Sequence, residues 1–108
     1  MDKELIWLAD RITTPPFSSE ARKDAGYLLR LLQKGERLGM PQSRPMPGIG
    51  RRVHELRIRD ENKIWRIIYR LGDDEILVVE IFAKTTQRTS KKMIETCKAR
   101  IKHYEGVK

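Results

Sequence analysis

Residues 53–83 read VHELRIRDENKIWRIIYRLGDDEILVVEIFA, and this stretch decides the fold. Over Val53–Asp60, His54, Leu56 and Ile58 fall on one face while Glu55, Arg57 and Arg59 fall on the other. That period of two is the mark of a half-buried strand. Ile64–Leu71 alternates again: Trp65, Ile67, Tyr69 and Leu71 share one face, and Arg66 and Arg70, with Ile64 and Ile68, share the other. Gly72-Asp73-Asp74 is a turn sequence. Glu75–Ala83 is nearly continuous apolar sequence, expected of a central strand covered on both faces. Three strands with such short connections predict an antiparallel meander.

Working outward, Leu5–Leu8 is a short apolar run that fits a strand or a helix start equally well. Thr13-Thr14-Pro15-Pro16 is a break, after which the Ser18-Ser19 pair offers a helix N-cap. Ala21, Ala25, Leu28, Leu29 and Leu32 then form one helical stripe, and Gly35 supplies the stop. Gly26 inside that helix costs about 1 kcal/mol relative to alanine, which a close helix–sheet contact would explain. Residues 39–50 carry three prolines and three glycines, so a loop or linker is expected there. After the meander, a basic loop leads to a last helix capped by Thr89 or Ser90, with Met93/Ile94, Cys97, Ile101 and Tyr104 as its stripe. The expected architecture is α+β in a single domain over 1–108, with the helices on one sheet face and the arginine-bearing face open.

The chain has 108 residues, room for one domain. No apolar run approaches the roughly 18 residues of a membrane span, and the N-terminus lacks the pattern of a signal peptide. One cysteine cannot form an internal disulfide, which points to a reducing, cytoplasmic setting. His54 and His103 are too far apart in sequence for zinc-site spacing, and neither a metal nor a cofactor is expected. Charge is the informative quantity. The net charge is +8, of which residues 51–108 supply +6; Lys84–Lys102 holds seven basic residues against Glu95 alone. A clustered positive field favours phosphate backbones, although a solvated, solubilising surface has the same composition.

Several segments together resemble the HigB-like, phage-derived toxins of the RelE/ParE superfamily of type II toxin–antitoxin systems. They are Trp7-Leu8, Ala25-Gly26-Tyr27-x-Leu29, Gln33-x-Gly35, Pro45-Met46-Pro47-Gly48-Ile49-Gly50, His54–Arg59, Trp65-Arg66-Ile67-Ile68-Tyr69 and Phe82-x-Lys84-Thr85-x-Gln87-Arg88-Thr89. The resemblance spans about residues 4–102. It implies a RelE-like antiparallel sheet of about four strands, two N-terminal helical segments and one C-terminal helix, with Leu5–Leu8 as an added edge strand. It further implies a helix-turn-helix antitoxin as partner. For activity it implies a metal-independent, ribosome-dependent mRNA endonuclease acting in the ribosomal A site. The alternatives are a ParE-like DNA gyrase inhibitor or a degenerate toxin that only binds its antitoxin.

Metal-free RNA cleavage needs a group to take the 2′-OH proton, positive charge on the phosphorane and a donor for the 5′-oxygen. The resemblance places Arg66 at the scissile phosphate; its plainer reading is an arginine paired with Glu55 or Glu80. Arg57 matches the adjacent basic strand, and Lys84 matches a phosphate clamp or proton donor. Glu55 is either a general base or an orienting salt-bridge partner. Arg59, Arg70, Arg88, Lys91 and Lys92 are the candidate RNA-binding residues. His54, Cys97, Trp65, Tyr69 and Tyr104 read as packing residues. The sequence departs from the family where a tyrosine often opens the last helix, here Ser90-Lys91-Lys92, and in having Thr85 as the second member of a lysine pair.

Overall fold

A computed structural model describes residues 2–8, 17–61, 63–84 and 89–106. The elements in chain order are β1 (Glu4–Trp7), α1 (Ser19–Gln33), β2 (Ser43–Pro45), β3 (Val53–Asp60), β4 (Lys63–Leu71), β5 (Glu75–Lys84) and α2 (Lys91–Gly106). The strands make one five-stranded sheet in the order β1-β5-β4-β3-β2. β2 through β5 are antiparallel to their neighbours, and β1 runs parallel to β5. The meander is as expected; the sheet as a whole is mixed. Among the described residues there are two helices, one of them N-terminal, where two N-terminal segments were expected. Residues 9–16 lie outside the description.

α1 begins where the sequence reading put it. The Ser18 hydroxyl accepts from the Ala21 N–H at 3.1 Å, and Ala21, Ala25, Leu29 and Leu32 are buried. Gly35 ends the helix at φ +92°, a conformation only glycine adopts without strain. Gly26 differs from expectation: a Cβ there would meet nothing within 4 Å, so no close contact explains it. Between residues 39 and 50 a three-residue strand, β2, forms despite the prolines, because an edge strand tolerates proline where a central one does not.

The largest correction concerns the layers. α1 packs on the face formed by Leu56, Ile58, Trp65, Ile67, Tyr69, Ile76 and Val78. α2 packs through Cys97 and Ile101 on the opposite face, against Val53, Ile68, Leu77 and Val79. The helices therefore sandwich the sheet rather than sharing a face. The reason lies in the second face itself, which is apolar at one end and charged at the other. α2 covers the apolar end, where each buried aliphatic side chain contributes about 1.5–3 kcal/mol. A β-bulge assists: the register shifts between Ile68, paired with Glu80, and Tyr69, paired with Val78. The extra residue re-phases β5, so that Val79 and Phe82 pack on the α2 side and Ile81 on the α1 side.

Buried Asp60 ties α1 to the sheet. Its carboxylate accepts from the Ser18 N–H at 3.0 Å and from Trp65 Nε1 at 2.9 Å. These bonds hold it below the usual carboxylate range, the Ser18 backbone N–H contributing most. The turn before β5 requires Gly72, since a Cβ there would sit 2.9 Å from the Glu75 carbonyl oxygen.

Candidate nucleic-acid interface

The charged end of the α2-side face is built on a cross-strand clash. Arg57 and Arg66 are direct partners in the β3–β4 ladder, and like charges placed opposite destabilise a sheet. Glu55, diagonal to Arg66, relieves it. The Arg66 Nη1 donates to Glu55 Oε1 at 2.7 Å, with the two side chains 1% and 0% exposed. Arg44 on β2 donates through Nε to the same oxygen at 3.1 Å, and the Thr89 hydroxyl donates to Oε2 at 2.9 Å. One carboxylate thus links β2, β3, β4 and the residues leading into α2.

Glu80 does similar work under α2. Arg100 pairs with its Oε2 at 2.8 Å and also donates to the Val79 carbonyl at 3.2 Å, while Glu80 Oε1 accepts from the Ile81 N–H at 2.9 Å. Beside this pair, burial pushes the Cys97 thiol up to about 12, with the Glu80 charge adding to the effect and Arg100 opposing it.

These pairings divide the candidate residues into two groups. Arg66 and Glu55 are locked together in the interior. Arg57 is partly buried, and its Nε is shielded from water with no hydrogen-bond partner among the described residues. Arg59, Lys91 and Lys92 are exposed, and like Arg57 they make no ion pair among the described residues. Lys91 and Lys92 open α2 at an end that carries no acidic residue and is capped by Ser90, whose hydroxyl accepts from the Met93 N–H at 3.1 Å. Lysines at a helix N-terminus oppose its dipole. The Thr89–Glu55 bond brings the residues before that end next to β3, on the sheet face that carries Arg57.

Arg70 is elsewhere. It lies four residues beyond Arg66, about 13 Å along the strand, and pairs with Glu105 at 2.5 Å. It lines a separate cleft of about 760 Å³ with Arg51, Arg52, Asp73 and Asp74. Lys84 is the last residue of β5, with Ile64 as its backbone partner. Arg88 lies outside the described residues. Sequence reasoning missed Arg44 and Thr89; the proline-rich setting of Arg44 concealed a strand, and nothing local marks Thr89 as a partner of a residue 34 positions away.

Among the described residues no helix is long and apolar enough to cross a membrane, and no three His, Cys, Asp or Glu side chains are grouped to hold a metal ion. His54 stacks on Tyr69 with ring centroids 5.4 Å apart on the α1 side of the sheet, away from the arginines. The Tyr104 hydroxyl donates to Glu75 at 2.8 Å.

Fold and surface together define a small basic α+β domain whose sheet presents cations suited to a polyanion. The phage-derived Gp49-like protein family (DUF891) matches residues 16–102, and the chain belongs to this family, which is of RelE/toxin-like type. Comparison with curated proteins and with solved structures gave no match.

Proposed function

We propose that this protein is the toxin of a type II toxin–antitoxin system and a ribosome-dependent mRNA endonuclease, with a helix-turn-helix antitoxin as partner. Membership of a RelE/toxin-like family supports the toxin reading. The observation that carries the nucleic-acid reading is Arg57: a guanidinium with no ion pair among the described residues, two positions along β3 from exposed Arg59 and on the sheet face next to which α2 begins. A phosphate would supply the counter-charge that Arg57 lacks among the described residues.

In this reading Arg57 binds the scissile phosphate and stabilises the phosphorane, and Arg66 lends positive charge from behind it. Arginine stays protonated at neutral pH and is a poor proton shuttle, so in this reading water or the ribosome-bound RNA takes the 2′-OH proton as the 2′-oxygen–phosphorus bond forms and returns one to the departing 5′-oxygen. A second reading, a non-catalytic module that poisons DNA gyrase or only binds its antitoxin, is favoured by the burial of Arg66 against Glu55.

Primer extension on a defined mRNA in a purified translation system separates the two readings. The endonuclease reading expects cuts that require ribosomes and disappear with Arg57→Ala. No cuts by the wild type, together with accumulation of cleaved gyrase–DNA complexes, would establish the second.

A further inference from the structure

Four segments converge on one fully buried carboxylate: Arg44 from β2, Glu55 itself on β3, Arg66 from β4, and Thr89 just before α2. The two oxygens divide the task. Oε1 takes both guanidiniums and so anchors the arginine that opposes Arg57 across the ladder. Oε2 takes only Thr89 among the described residues, and Thr89 stands two residues before the lysine pair that opens α2. Both sides of the basic surface, Arg57 on the sheet and Lys91–Lys92 on the helix, are therefore referenced to the same carboxylate.

We propose that Glu55 is a positioning residue for phosphate recognition, a buried anion that strengthens rather than weakens the binding of RNA by fixing the cations around it. The inference rests on the reading of this face as an RNA phosphate site. Its physical content is a sign. An acid near a cationic surface ordinarily lowers affinity for a polyanion, and neutralising it raises that affinity. If Glu55 instead sets the spacing between Arg57 and the start of α2, neutralising it loosens both sides and affinity falls.

The test titrates a fluorescein-labelled single-stranded oligoribonucleotide with wild type, Glu55→Gln and Glu36→Gln at two salt concentrations, well below each protein's melting temperature. Glu36 is exposed and its side chain makes no hydrogen bond or ion pair among the described residues, so its neutralisation matches the change in net charge. The expected result is binding about tenfold weaker for Glu55→Gln, equivalent to one charge-assisted hydrogen bond, with Glu36→Gln equal to or tighter than wild type. Folded Glu55→Gln that binds as Glu36→Gln does would overturn the positioning role alone. If Glu55→Gln does not fold, Thr89→Val decides, because it removes the Oε2 bond and leaves the Glu55–Arg66 pair: weaker binding upholds the proposal, unchanged binding overturns it. A wild type without salt-dependent RNA affinity overturns the phosphate-site reading, and this inference with it.

Discussion

Replacing Arg66 by alanine should cost stability before it informs on activity. The guanidinium is 1% exposed and its partner carboxylate 0% exposed. Breaking a buried ion pair from one side costs about 3–5 kcal/mol, because a charge is left in the interior without its partner. Here Arg44 at 3.1 Å and Thr89 at 2.9 Å still face Glu55, so the lower figure applies, about 3 kcal/mol. For 108 residues the unfolding entropy is roughly 0.2 kcal/mol per kelvin. Arg66→Ala should therefore melt roughly 13–15 °C below wild type in a circular dichroism scan. Glu55→Met/Arg66→Met should recover most of the loss, since replacing both charges with apolar side chains strands neither. An Arg66→Ala protein melting within about 4 °C of wild type (under 1 kcal/mol by the same conversion) would refute this account of the pair. Loss of toxicity in Arg66→Ala consequently carries little mechanistic weight.

Arg57→Ala should keep the wild-type melting temperature and lower the salt slope of single-stranded RNA binding by about 0.7, the share of one phosphate contact; Arg70→Ala, removed to the other end of the sheet, should change neither affinity nor slope. Asp60 sits below its ordinary carboxylate range in the folded state, so its contribution is present above the unfolded value and is lost as pH falls through the folded one. Acid titration of stability should show this loss from about pH 4 downward, and Asp60→Asn should flatten that limb; parallel limbs would contradict it. With the Cys97 thiol pushed up to about 12, native protein should resist an aromatic disulfide reagent at pH 8 and react fully once unfolded in guanidinium. Gly72→Ala places a Cβ 2.9 Å from the Glu75 carbonyl oxygen and should destabilise by more than about 1 kcal/mol in urea unfolding, whereas a neutral result would mean that the turn relaxes freely.

Much of the fold was legible because alternation and helical spacing are local properties. The facing of β3 and β4 followed from period two, and Leu56, Ile58, Trp65 and Ile67 are buried on the side the pattern assigned. The stripes of α1 and α2 and the Ser18 cap followed in the same way. What the pattern did not carry is non-local. β2 depends on an edge partner that Pro45 conceals, and the facing of Glu80 depends on the bulge opposite Ile68 and Tyr69. The near-continuous apolar run of β5 did announce cover on both faces. Taking both helices to one side conflicts with that signal, because a strand apolar on both faces needs a layer on each.

The candidate site shows why counting arginines along a chain falls short of locating a phosphate. Glu55, Arg57, Arg59 and Arg66 fall on one sheet face, and the family resemblance ranks Arg66 first. A single diagonal ion pair holds Arg66 at 2.7 Å from Glu55, and Arg57 opposite it has no counter-charge among the described residues, which is why the proposed reading turns to Arg57. Such an arrangement is poor as a device for stability, since apolar side chains of similar volume usually do as well or better in the same space. A sheet that buries two acids, Glu55 and, more partially, Glu80, beneath a basic surface while leaving Arg57, Arg59, Lys91 and Lys92 unneutralised holds positive charge in a fixed geometry. Two local rules are broken here, by an Arg–Arg ladder pair and by a lysine-opened helix, and in the proposed reading an incoming phosphate relieves both.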